Sequence, residues 1–171
     1  HLMGQGASST RLVIAAAASS VNILEVVGPY VTISDLYISN NGVTAGFNGA
    51  LQINRVHLRN IPINLVVTRN HFDGNEAGVY YYSGDNVFFT ENMFSGDGSN
   101  YALEIGSITS NIVISNNIFT HSNPFYAYQN NDILVTGNRF EGLGFNIGLQ
   151  LDYTKNVTVT GNTFEEFDNA V

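Results

Sequence analysis

Asn86-Val-Phe-Phe-Thr-Glu-Asn92-Met-Phe94 is one of five versions of a single phrase. Asn64-Leu-Val-Val-Thr-Arg-Asn70-His-Phe72 precedes it, and Asn111-Ile-Val-Ile-Ser-Asn-Asn117-Ile-Phe119, Asp132-Ile-Leu-Val-Thr-Gly-Asn138-Arg-Phe140 and Asn156-Val-Thr-Val-Thr-Gly-Asn162-Thr-Phe164 follow. The template reads Asn/Asp, apolar, x, apolar, Thr/Ser, x, Asn, x, Phe. From Asn70 through Asn92, Asn117 and Asn138 to Asn162 the steps are 22, 25, 21 and 24 residues, near the lower end of the periods that mark solenoids. The apolar positions alternate as in a strand with one buried face, and the Phe resumes the alternation after a two-residue corner. Asn suits such a corner because it tolerates the left-handed conformation and bonds local backbone. Stacked coils would bring the asparagines together about 4.8 Å apart, in reach for a ladder of side-chain amides. The Phe column, one per coil at the same phase, reads as an internal stack.

A shorter phrase runs between these units: Gly78-Val79-Tyr80-Tyr81, Ala102-Leu103-Glu104-Ile105, Phe125-Tyr126-Ala127-Tyr128 and Gly148-Leu149-Gln150-Leu151. It supplies a third strand. Aligning Leu103 with Tyr126 and Leu149 places the following Ile112, Ile133 and Val157 at 9, 7 and 8 residues. Three short strands per coil of about 23 residues make an all-β fold, a parallel β-solenoid of about seven coils, and one domain over 1–171.

The first unit, Val31 to Ile38, carries Leu36 where later coils place Asn, so the ladder should begin downstream of it. Residues 41–76 fit less well. Ala50-Leu51-Gln52-Ile53 resembles the third-strand phrase, yet Val56-His-Leu58 stands at the right distance to play that part for Asn64 to Phe72, and a bulging loop or missing residues would also serve. Ala15 to Ala18 is too short for an independent helix and reads as the core side of a coil.

Charged residues make up only 12 % of the chain and the net charge is −8, with 6 Lys plus Arg against 14 acidic residues. That balance argues against nucleic acid and anionic membrane surfaces as partners. There is no cysteine, which removes disulfides and thiolate chemistry. No apolar run has the length of a membrane span and no signal peptide opens the sequence, while His1-Leu2-Met3 reads as a cloning remnant. The sequence stops in mid-coil after Phe164, which would expose strand edges. A piece of a longer protein, or a chain whose ends are covered by further copies of itself, is therefore expected.

These repeats resemble the right-handed parallel β-helices of the pectin-lyase-like superfamily, and the resemblance covers nearly the whole chain. Gly4-Gln-Gly-Ala-Ser-Ser-Thr10-Arg-Leu12 adds a phrase similar to an early-coil turn of phage tailspikes, whereas its glycines lack the Lys-Ser/Thr of a phosphate-binding loop. The resemblance implies right-handed winding, which agrees with the rule for parallel crossovers. It also implies an extracellular or virion-associated setting and a polysaccharide as partner. Superfamily members include lyases, hydrolases, epimerases, tailspikes and adhesins, so function must come from a site.

Alternation places Glu25, Gln52, Tyr80, Glu104, Ala127 and Gln150 on the outer face of the third strand, with Val27, Asn54, Tyr82, Gly106, Gln129 and Asp152 as a second row. Carboxylates, amides and tyrosines of this kind grip sugars by ring stacking and hydroxyl bonding. Glu25, Gln52, Tyr80, Tyr82, Gln129 and Gln150 are the expected substrate contacts. Glu104 with Asp152 is the best pair for the two carboxyls of glycoside hydrolysis. Lyase chemistry on a uronate wants cations, and only Arg139 and Lys155 lie in the regular half; the Asp-Pro-His-Glu phrase of alginate epimerases is absent. His57, His71 and His121 lack ligand spacing and read as solvated outer or corner residues, and Ser95-Gly-Asp97-Gly-Ser-Asn100 has one carboxylate, too few for calcium. No metal or cofactor is expected. A structural or adhesive solenoid without chemistry is the rival reading.

Overall fold

The computed structural model describes residues 2–6, 11–13, 24–26, 30–39, 51–53, 63–73, 79–81, 84–96, 101–106, 109–143 and 147–168, with backbone alone at 11–13, 24–26, 51–53 and 63. It is a parallel β-solenoid of three sheets, with no helix among the described residues. Sheet A holds seven strands: Leu2–Met3, Val31–Ser34, Ile63–Thr68, Gly84–Thr90, Thr109–Ser115, Asn131–Thr136 and Lys155–Thr160. Sheet B also has seven: Arg11–Val13, Tyr37–Ser39, His71–Asp73, Met93–Gly96, Ile118–His121, Arg139–Glu141 and Thr163–Glu165. Sheet C has six, Leu24–Val26, Leu51–Ile53, Val79–Tyr81, Leu103–Ile105, Phe125–Tyr128 and Leu149–Asp152. Each coil visits A, B and C in turn and lies in parallel register on the coil before it.

The core is a set of columns. Phe72, Phe94, Phe119, Phe140 and Phe164 stack with centroids 5.1, 4.6, 4.8 and 4.7 Å apart, the spacing of neighbouring strands. The coil period therefore also sets a favourable ring separation. Val67, Phe89, Ile114 and Val135 form a second buried column, and Val79, Leu103, Phe125 and Leu149 a third. In the last described coil the columns meet solvent, and Val159 is 37 % exposed where Val135 is fully buried.

The asparagine ladder is present and begins where Leu36 ends the series. Asn70 Nδ2 donates to Asn92 Oδ1 at 3.1 Å, Asn92 to Asn117 at 3.0 Å, Asn117 to Asn138 at 3.0 Å and Asn138 to Asn162 at 2.9 Å. Each of those Oδ1 atoms also accepts the backbone N–H of the preceding ladder asparagine, and Leu36 N–H donates to Asn70 Oδ1 at 3.1 Å. One side chain thus satisfies backbone groups of the tight corner that no sheet reaches.

Left-handed backbone sits elsewhere than expected. It falls on the template's first residue, Asn64, Asn86, Asn111, Asp132 and Asn156, and on the residue before each ladder asparagine, Arg69, Glu91, Asn116, Gly137 and Gly161, whereas the ladder asparagines avoid it. Their amides must point into the coil to bond along the stack, and the neighbouring residue makes the turn.

One reading of the irregular coil is also decided: the strand Leu51–Ile53 pairs with Val79–Tyr81 and so supplies the sheet C strand before Ile63–Thr68. Residues 54–62 lie outside the described residues, as do Ala15 to Ala18, Val27, His57, Tyr82 and Asp97 to Asn100.

Candidate functional site

Sheet C carries the face expected to meet a ligand, and at Phe125–Tyr128 its register differs by one residue from the sequence alignment. Leu103 pairs with Phe125 and Ile105 with Ala127, so Phe125 and Ala127 face the core and both are fully buried. The outer row is therefore Tyr80, Glu104, Tyr126, Gln150, with Tyr126 where Ala127 had been placed and with the backbone of Glu25 and Gln52 level with it in register. In the second row Tyr128 stands level with Asp152, and Gln129 instead occupies the following corner, exposed and left-handed at φ 55°. The cause lies in Phe-Tyr-Ala-Tyr itself, which offers apolar side chains in both phases. Of the other expected contacts, Tyr80 and Gln150 are half-buried on the row, while Glu25 and Gln52 are described by backbone alone.

The corrected register assembles a cluster that includes residues outside the sequence-based set. Tyr101 stacks on Tyr126 at 4.7 Å and 21°, Tyr128 lies 6.4 Å from Tyr126, and Tyr153 meets Tyr128 edge-on at 5.6 Å. Tyr101 Oη donates to Gln150 Oε1 at 2.7 Å, Gln150 Nε2 donates to Asp152 Oδ2 at 2.9 Å, and the Tyr126 hydroxyl bonds the Asp152 carboxylate. A constant step from sheet C to the next sheet A strand would have found the phase: counted from Leu103, Phe125 and Leu149 it is 9, 8 and 8 residues.

Electrostatics follow from this packing. Burial pushes the Glu104 carboxyl above its ordinary value. Burial first, and then the Asp152 charge and hydrogen bond, push the Tyr126 hydroxyl up to about 12, and Tyr101 is raised by burial and by the Glu104 and Asp152 charges. All three groups keep their protons to higher pH than they would in water. Glu104 and Asp152 lie on strands two coils apart and two residues out of level, which separates their Cα atoms by roughly 12 Å at ordinary strand dimensions. The strand Phe125–Tyr128 runs between them.

A second polar cluster lies on the outer face of sheet B. Tyr37 Oη and Ser95 Oγ both donate to Asp73, the latter at 2.9 Å, and His71 Nε2 lies 2.9 Å from Ser95 Oγ. Because the serine proton goes to Asp73, His71 must donate to Ser95, which is the reverse of a base activating a nucleophile. His71 is half-buried with its pKa lowered by that burial, and His121 is fully buried with Nδ1 accepting from Asn123 N–H at 3.0 Å, so neither is the solvated histidine expected. A groove of about 370 Å³ runs beside the ladder corner, edged by Arg69, His71, Glu91, Met93, Asn116 and Ile118. Arg69 is bound to Asp35 by two 2.8 Å bonds and His71 to Ser95, so the fold already engages its strongest donors.

Stacked coils with a core of columns, an asparagine ladder and a tyrosine-lined outer sheet define a parallel β-solenoid. The family model of the right-handed β-helix region matches residues 56–170, and the chain belongs to that family, with the right-handed winding the family carries. No curated protein and no solved structure matches the chain.

Proposed function

We propose that the outer face of sheet C binds polysaccharide, and that the protein is a carbohydrate-recognising β-helix module. The observation that carries this reading is the run Tyr101, Tyr126, Tyr128 and Tyr153 in mutual ring contact beside the bonded pair Gln150 and Asp152. Aromatic planes with fixed amide and carboxylate acceptors are what a ring of apolar C–H faces and equatorial hydroxyls requires. Such a partner is met outside the cell or at a virion surface, where this reading sets the protein to work.

The test is a glycan array probed with the intact chain and with Tyr126→Ala. Binding that falls at least about tenfold in the variant is expected from the loss of one stacking ring. Equal binding by both proteins would leave the face without a ligand and favour a structural or adhesive solenoid.

Polysaccharide hydrolysis is the second reading, favoured by the half-buried Glu104, whose raised pKa suits a proton donor. It requires the Glu104 and Asp152 carboxyls to lean toward one another, since inverting enzymes hold them about 6.5 to 9.5 Å apart. Reducing ends released by the wild type and abolished in both Glu104→Gln and Asp152→Asn would establish it, and unchanged release in both would remove the pair from the mechanism.

A further inference from the structure

We infer, building on the polysaccharide reading of sheet C, that the face takes an uncharged, hydroxyl-rich glycan and rejects polyuronates. Tyr101 has given its proton to Gln150, Tyr126 shares its hydroxyl with Asp152, and Gln150 has given an amide proton to Asp152. What remains toward solvent is mostly acceptor capacity: the free lone pairs of Asp152, the Gln150 carbonyl and Glu104. A sugar hydroxyl donates to such atoms. A uronate carboxylate only accepts; it would meet the Asp152 charge, and the donors left to it, the Tyr128 and Tyr153 hydroxyls and the second amide proton of Gln150, are neutral and do not offset that repulsion.

Cations that could offset a uronate are held elsewhere among the described residues. Arg69 pairs with Asp35 at 2.8 Å, and Arg139 lies on sheet B in pairs with Glu141 at 2.8 Å and Glu165 at 3.0 Å. Lys155 opens the last strand of sheet A, past the corner that ends the face. Stacking, by contrast, is indifferent to the absence of charge, and the tyrosine rings supply it over successive coils.

The experiment is affinity electrophoresis of the intact chain through gels holding neutral glucans and mannans, polygalacturonate, alginate or chitosan, at low and at 0.5 M salt. Tyr126→Ala and Tyr126→Phe run alongside, with thermal melts to verify folding. Retardation by a neutral polymer is expected, unchanged by salt, kept in Tyr126→Phe and lost in Tyr126→Ala, with polyuronates at least about tenfold weaker through like-charge repulsion. Polyuronate retention that Tyr126→Ala abolishes would overturn the uncharged class while leaving the face as a glycan site. Chitosan retention that salt weakens and Tyr126→Ala abolishes would overturn it in favour of a cationic glycan. No retention by any polymer, or retention that a folded Tyr126→Ala preserves, would overturn the polysaccharide reading itself.

Discussion

Removing one interior rung of the asparagine ladder should cost far more than removing its last. Asn117 is 1 % exposed, and its amide donates to Phe89 O at 2.8 Å and Asn138 Oδ1 at 3.0 Å. Its Oδ1 accepts Asn92 N–H at 2.8 Å and Asn92 Nδ2 at 3.0 Å. In Asn117→Ala the Asn92 backbone N–H loses this acceptor in a site 2 % exposed, while Asn92 Nδ2 keeps Val67 O and Asn138 Oδ1 keeps Asn117 N–H. An orphaned buried N–H costs about 1 to 3 kcal/mol and each of the three other lost bonds about 1 kcal/mol net, so roughly 4 to 6 kcal/mol is expected. That is a large share of the 5 to 15 kcal/mol typical of a folded domain. Asn162 makes the same kinds of bond, to Asn138 and to Val135 O, but it is half-buried at the end of the ladder and water can replace it. Asn162→Ala should therefore cost only about 1 kcal/mol. Guanidinium unfolding followed by far-UV circular dichroism measures both, with an unchanged slope required for the comparison. An Asn117→Ala variant within 1 kcal/mol of wild type, or equal losses at the two sites, would refute the reasoning that the ladder satisfies otherwise orphaned backbone.

Glu91 occupies the left-handed corner at φ 58° where later coils use Gly137 and Gly161, so Glu91→Gly should stabilise the protein by about 0.5 to 1 kcal/mol, read as a raised melting temperature. A lowered melting temperature would mean that the Glu91 side chain contributes more than its backbone conformation costs. Glu104 should make stability fall with rising pH. Its folded pKa is raised by burial, so from the ordinary value near 4.5 upward the folded state binds more protons than the unfolded one; the contribution is full below that value and lost as pH rises through the folded pKa. Urea midpoints measured from pH 4 to 8 should decline less in Glu104→Gln than in wild type, and parallel profiles would show that Glu104 is not desolvated as described.

Periodicity made the fold legible. A residue repeated once per coil has neighbours of its own kind above and below, so Asn70 to Asn162 and Phe72 to Phe164 announced both the ladder and the stack. Side chains constrained only by one coil were not legible in the same way. His121 was read as a surface residue because its strand alternates only briefly before the turn, yet it is fully buried. Tyr126 and Ala127 exchanged faces because Phe-Tyr-Ala-Tyr satisfies either phase, and only pairing with Leu103 to Ile105 selects one. Tyr101 and Tyr153 lie outside the repeated phrases, and nothing in the linear pattern joins them to Tyr126 and Tyr128.

The three outer faces have been left to different chemistry by the same core. Inward positions must fit neighbours 4.6 to 5.1 Å away along the Phe column and accept little change. Outward positions answer mainly to solvent and to whatever binds. On sheet A the outer row is Val66, Phe88, Val113 and Leu134, all half-buried, and on sheet B Arg139 ties down Glu141 and Glu165. Among the described residues, sheet C alone sets a run of four tyrosine rings beside such acceptors. Tyr153 is 79 % exposed and touches Tyr128 by its edge, so it buries too little apolar area to be explained by folding stability. Ordering such a side chain costs conformational entropy that a bound sugar ring would offset, which is why the glycan reading rests on this face and not on the groove beside the ladder.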